Sequence, residues 1–290
     1  VQYEEPAIRR NLQSNRESRV ARLKVGVALS GGTAKSVAHV GVLKALTEEN
    51  IPIDCLAGTS GGSIVGAMFA SGMPVSTLES TATTMSWRKL VSIKLTRLGF
   101  VSSGAIEDFV RDMIGDITFE QLKIPMTIVA ANLVTGEKRE FDRGSVPIAV
   151  RASCSIPQIY LPVEIDGEYY VDGGLSEYLP VETLQDMGCQ FCIASHLGPH
   201  DPSYRRPHHI LQLVMQITGL MARKNYVLSI DKADFLIHPN LDRFSSFDFN
   251  NSDKIIELGY TTTKALVGEL RGKLQRSGRP WSRLWRKLRG

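Results

Sequence analysis

From Lys24 onward, short apolar runs alternate with stretches in which apolar residues recur every three or four positions. "KVGVALS" and "IDCLAG" read as strands, and Ala34 to Glu49 reads as a helix with Val37, Val40, Leu43 and Leu46 on one side. Ser63 to Ser71 is a second predicted helix, rich in small residues. "IPMTIVAANL" reads as a buried strand, with a turn and an edge strand in "VTGEKREF". "VEIDGEYYVDGG" alternates around Asp166-Gly167, a hairpin signal, and "QFCIASHLG" and "ADFLIHP" are further strands. A helix from His208 to Val227 carries Ile210, Leu213, Val214, Ile217, Leu220 and Met221 on one face; this stripe is expected to meet the core or a second subunit. A last helix runs from about Ser252, its N-cap, to Leu274. Strand and helix alternate at the spacing of right-handed βαβ units, which predicts an α/β fold: a mainly parallel sheet with helices on both faces.

Composition narrows this only a little. A chain of 290 residues, 43% hydrophobic and 22% charged, is that of a globular protein with a sizeable core. The longest uncharged run, Cys55 to Leu78, is broken by glycines and by Pro74, so no stretch reads as a spanning helix. The chain begins at Val1 without a visible signal peptide, which leaves a removed upstream segment open. Four cysteines do not make a disulfide framework, and Cys189 and Cys192, inside an apolar strand, are expected to be packed thiols and not a redox or metal pair. The last twenty residues hold eight Arg or Lys and no acid; removing those eight from the net charge of +4 leaves the body at −4. That is a body with a basic tail, and it argues against a nucleic-acid partner.

Two glycine segments carry the candidate chemistry. In "GTSGGS", Ser60 stands between glycines where a strand gives way to a helix, either as a nucleophile on a strained elbow or as a helix N-cap. In "SGGTAK", the amides of Gly31, Gly32 and Thr33 stand before a helix, a place for an oxyanion or simply a tight packing turn. Neither a Walker A loop nor a dinucleotide fingerprint is present. A serine needs a base. His39 lies within the first helix and reads as a packing residue, while His196, His200, His208, His209 and His238 follow the elbow, as in a Ser–acid–His order. Asp172, after an apolar strand and before Gly173 and Gly174, is the other candidate base, or else a turn aspartate. No His/Cys set has zinc spacing and no carboxylate run has calcium-loop spacing, so neither a metal nor another cofactor is expected.

"SGGTAK", "GTSGGS", "RASCSIPQIYLPV" and "VDGGLSEYLP", taken in order, resemble the four sequence blocks of the patatin-like phospholipase family, from about Lys24 to Leu197. The resemblance implies a three-layer α/β/α patatin-like fold and a Ser–Asp dyad acting on acyl lipids. By that likeness Ser60 is the nucleophile, Asp172 the base, and Gly31, Gly32 and Thr33 the oxyanion loop, with Gly58, Gly61, Gly62, Gly173 and Gly174 supporting. Thr33 departs from a family glycine, and is tolerated on the expectation that its φ is negative. Lys35 takes the family's basic position after the loop, to steady it or attract an anionic headgroup. Ser153 and Ser155, without a glycine elbow, are expected in the wall of the acyl pocket.

The expected organisation is a polar arm over 1–23, a catalytic domain over 24–275 and a basic amphipathic tail over 276–290. An insert over about 76–104 mixes Arg88, Lys89, Lys94 and Arg97 with apolar residues, and reads as a cap over the site or an ordinary packed helix. If the tail is helical, Trp281 and Trp285 share one side with Leu284 and Leu288, suited to an anionic membrane surface or to packing on the acidic body. The expected partner is a phospholipid or other acyl-ester lipid, at a cytoplasmic, peripherally membrane-associated location, with a homo-oligomer left open. A soluble carboxylesterase or acyltransferase with the same dyad, and a catalytically silent membrane-binding module, are the rival readings.

Overall fold

The apolar run after Lys24 forms β1 (Val25–Leu29), every residue of which is buried. The computed structural model describes residues 22–84, 101–198, 207, 210–246 and 249–278. A 3-10 turn over Thr33–Val37 leads into α1 (Ala38–Glu48). β2 (Cys55–Thr59) and α2 (Gly61–Ala70) repeat that unit, followed by α3 (Val75–Thr83) and α4 (Gly104–Ile114). Next come β3 (Met126–Asn132), β4 (Lys138–Phe141), α5 (Val146–Ser153), and the hairpin of β5 (Val163–Ile165) and β6 (Glu168–Asp172). The chain continues through α6 (Gly174–Glu177), α7 (Val181–Asp186), β7 (Phe191–Ser195), α8 (Ile210–Lys232), β8 (Phe235–Ile237) and α9 (Ser252–Gly278).

The strands form one sheet in the order β5-β6-β3-β2-β1-β7-β8, with β4 also paired to β3. β8, β7, β1, β2 and β3 are parallel; β4 and β6 run antiparallel to β3, and β5 runs antiparallel to β6. Both faces are covered, which is why the central strands read as unbroken apolar runs. Alternate residues serve different layers. Val25, Val27, Leu29, Phe191 and Ile193 join the larger core under α1, α2 and α9, whereas Ala28, Ala57, Cys192 and Ala194 face α7 and Tyr226 of α8. Where α1 and α9 cross, a Cβ on Gly259 would overlap the Ala38 carbonyl and one on Gly41 the Ile256 carbonyl, so the helices touch backbone to backbone.

Register then brings two distant segments together. Thr59, the last residue of β2, pairs with Val129, and Asp172, the last residue of β6, pairs with Ala130. β4 overlaps both neighbours along β3, so β2 and β6 share the opposite edge and meet end to end. The residue after β2 is Ser60.

Two expectations are corrected. Of the two expected partners of the α8 stripe, the core is excluded and a second subunit is not: Ile210, Leu213, Ile217, Leu220 and Met221 are exposed, because the helix packs through Ala222, Tyr226 and Ser229 in its second half. Cys189 and Cys192 are not a pair of packed thiols. Gly26, which has no side chain, leaves room for the Cys189 sulfur to join Cys55 on the neighbouring strand, and Cys154 and Cys192 are the buried free thiols. Residues 1–21, 85–100 and 279–290 lie outside the described residues, and with them most of the arm and insert and both Trp281 and Trp285. Among the described residues no helix is long and apolar enough to cross a membrane.

Candidate active site

β2 ends in a sharp reversal. Ser60 has φ 50 and ψ −127, a strained conformation for a residue with a Cβ, and stands at the N-cap of α2. The turn is possible because its neighbours lack side chains: a Cβ on Gly62 would strike the Leu29 and Ser30 carbonyls, and one on Gly58 would crowd Ser63 and Met126. Ser60 is 8% exposed, and its Oγ donates to Asp172 Oδ2 at 2.7 Å. It therefore caps no amide of α2; it is turned to the carboxylate.

Asp172 is held as tightly. Its Oδ1 accepts from Gly174 N–H at 2.8 Å, and its own N–H donates to the Ser155 carbonyl. Gly173 sits so close to the Val129 carbonyl that no Cβ would fit. Burial pushes the Asp172 carboxyl up to about 6, against the hydrogen bonds from Ser60 and Gly174, which favour the charged form.

The segment Arg151–Pro157 joins the two. Ser153 Oγ accepts from Ser60 N–H at 2.8 Å and donates to the Val129 carbonyl at 2.6 Å, so it fastens the elbow to β3. Ser155 Oγ lies 2.8 Å from the Arg151 carbonyl and 2.9 Å from Ser103 Oγ. Of this segment, Cys154 and Ile156 form the cavity wall, while Ser153 and Ser155 hold backbone in place. The Cys154 thiol, 3.8 Å from Ser63 Oγ, is pushed far up by burial and by the Asp172 charge, so it stays protonated.

The loop after β1 lies on the other side of Ser60. Its first amide, Gly31 N–H, is committed to the Tyr178 carbonyl at 3.1 Å. The N–H groups of Gly32 and Thr33 donate to no acceptor among the described residues. Thr33 has φ 52, so the expectation of a negative angle is overturned: the loop turns through the left-handed region although its residue there is β-branched. Lys35 is half-buried on the following 3-10 turn.

Ser60, Thr33, Cys154 and Ile156 border a cavity that runs between Val37, Ile64, Val65, Ile106 and Phe249. An apolar pocket with a few convergent polar groups at one end suits a hydrocarbon chain with a polar head.

The described histidines have other engagements. His39 is buried in α1; its Nε2 donates to the Ser30 carbonyl at 2.9 Å and its Nδ1 accepts from Ser195 Oγ at 2.8 Å. Burial lowers it to about 4, so it stays neutral and ties α1 to β1 and β7. His196 packs at a tilt between the rings of Tyr226 and His238, and His238 Nε2 donates to the Gly198 carbonyl. His200, His208 and His209 lie outside the described residues. Among the described residues no group of three or more His, Cys, Asp or Glu is placed to hold a metal ion.

A family model described as patatin-like phospholipase matches residues 27–184, more than half of the chain. An uncharacterized NTE family protein of Mycobacterium tuberculosis is 35% identical over 178 residues, covering 60% of this chain and 49% of that protein. Patatin-like phospholipase domain-containing protein 6 of Mus musculus is 27% identical over 306 residues, covering 92% of this chain and 22% of its own length. Lysophospholipase nte1 of Emericella nidulans is 25% identical over 280 residues, 86% of this chain and 18% of that one. The chain thus spans about half the length of the mycobacterial relative and about a fifth of the eukaryotic ones. Among solved structures, VipD from Legionella pneumophila superposes with a TM-score of 0.51 at 15% identity, over 86% of this chain and 67% of that one, a likeness of fold.

Proposed function

The chain belongs to the patatin-like phospholipase family, and from that premise we propose that it is a serine hydrolase that cleaves carboxylic esters of phospholipids or lysophospholipids through a Ser60–Asp172 dyad. The observation that carries this reading is the 2.7 Å bond from Ser60 Oγ, on a strained elbow, to a buried carboxylate at the head of an apolar cavity.

The chemistry follows from that bond. Asp172 Oδ2 takes the Ser60 proton as Oγ bonds to the ester carbonyl carbon. The negative charge arrives on the carbonyl oxygen, where the uncommitted N–H groups of Gly32 and Thr33 and the N-terminus of α2 stabilise it. The alcohol oxygen leaves with the proton from Asp172, so the acyl group remains on Ser60. Water then attacks that ester, giving its proton to Asp172; the acid departs and the proton returns to Ser60.

Lipid is taken from a membrane surface in this reading. α8 joins the parallel strands β7 and β8, so it begins at the edge of the sheet where β2 ends and Ser60 stands. Its 23 residues reach about 34 Å; of its exposed apolar residues, Ile210, Leu213, Ile217, Leu220 and Met221 lie in the half nearest that edge, and Val227 and Leu228 lie farther along.

The test is hydrolysis of lysophosphatidylcholine with fatty-acid release measured by mass spectrometry. S60A and D172N are each expected to lose at least a hundred-fold in kcat/KM, a typical cost for such groups. Replacing His196, His200, His208, His209 or His238 singly is expected to leave most of the activity. A histidine variant as inactive as S60A would overturn the dyad in favour of a triad.

A further inference from the structure

Ser36 lies on the 3-10 turn after the glycine loop, in the wall of the cavity. It is 4% exposed, and its hydroxyl is buried with no hydrogen-bond partner among the described residues. The hydroxyl fills space that two glycines leave bare. A Cβ on Gly61, the residue after the nucleophile, would overlap Ser36 Oγ, and a Cβ on Gly32, whose amide is uncommitted, would stand 3.4 Å from it.

A buried donor without an acceptor lowers stability, and packing alone does not call for one, since alanine fills the same space but for one oxygen. Val37, Ile64 and Val65 in the adjoining wall are hydrocarbon, and the polar groups of Thr33 and Ser60, which border the same cavity, make no hydrogen bond to Ser36 Oγ. A plain acyl chain entering this cavity brings one acceptor of its own, the carbonyl oxygen at its head. We propose that Ser36 is a third donor to that oxygen, beside the amides of Gly32 and Thr33, and that its hydrogen bond strengthens as charge develops there. Ser36 makes and breaks no covalent bond, and its proton stays on Oγ. The inference rests on the acyl-transfer reading above.

The experiment compares full-length wild type, S36A and S60A on the p-nitrophenyl ester of a medium-chain fatty acid, with competent sites counted by fluorophosphonate titration. S36A is expected to lose at least about ten-fold in kcat per titrated site, toward the range of other oxyanion donors. Its KM should stay within two-fold and its melting temperature should be equal or higher, because an unpartnered hydroxyl has been removed. A purely structural role would lower the melting temperature and the number of sites and leave kcat per site unchanged, which would overturn the proposal. So would a raised KM with unchanged kcat, the mark of a ground-state contact. Hydrolysis that survives in S60A would overturn the dyad itself, a separate outcome from an S36A enzyme that matches wild type while S60A is inactive.

Discussion

Burial holds the Asp172 carboxyl near 6, and Ser60 and Gly174 only partly offset that desolvation. Because the folded value lies above the unfolded one, this group's stabilising contribution is complete below about pH 4 and is lost as the pH rises through about 6. Removing the ionisation removes that loss. D172N is therefore expected to raise stability at pH 8, by on the order of 2 kcal/mol, and to change it little at pH 4; an equal effect at both pH values in thermal or denaturant unfolding contradicts the assignment. The same carboxyl must be charged to accept a proton, so kcat/KM should climb with pH along a limb centred near 6. Some of this was legible along the chain: Ser60 between glycines, and Asp172 among apolar neighbours before Gly173. Ser153 was less so. Its hydroxyl acts on Ser60 N–H, 93 residues away in sequence, and no local pattern distinguishes such a serine from a wall residue. The angle at Thr33 went the other way: its φ is 52, against the preference of a β-branched residue.

Among elements, the decisive arrangement is the meeting of β2 and β6 on one edge of β3. Both strands were readable from their apolar alternation, but a shared edge depends on register 112 residues apart, which periodicity does not encode. Family resemblance brought these two residues together before the register did. The α8 stripe shows the limit from the opposite direction. Period 3.6 identified the apolar face, and only the packing of Ala222 and Tyr226 shows that the face points outward. The α1–α9 crossing is the element-scale feature most exposed to mutation. A Cβ on Gly259 meets the Ala38 carbonyl, backbone that cannot swing aside. G259V is expected to cost about 1–3 kcal/mol by forcing the helices apart; a melting temperature equal to wild type would show that the crossing is looser than described.

At the scale of the whole molecule, the exposed apolar residues of α8 and the basic end of the sequence bear on how lipid would be reached in the proposed reading. Arg271 and Lys273 pair with Glu49 and Glu269, but residues 279–290 hold five further cations and no acid, expected to favour anionic lipid at on the order of 1 kcal/mol for each one near the surface. Deleting 279–290, which removes Trp281 and Trp285, is expected to weaken sedimentation with phosphatidylglycerol vesicles and to leave hydrolysis of a soluble ester nearly unchanged. Unaltered vesicle binding would contradict a membrane role for the tail, and a collapse in thermal stability would assign it to packing. The proposed hydrolysis depends on Ser60 being activated by Asp172, and the most direct measurement is covalent. Full-length wild type, D172N and S60A are incubated with an alkyl fluorophosphonate, digested, and mapped by mass spectrometry. One adduct is expected, on Ser60 in wild type, formed at least a hundred-fold more slowly in D172N and absent in S60A. An adduct on any other residue, or undiminished labelling of Ser60 in D172N, would contradict that activation.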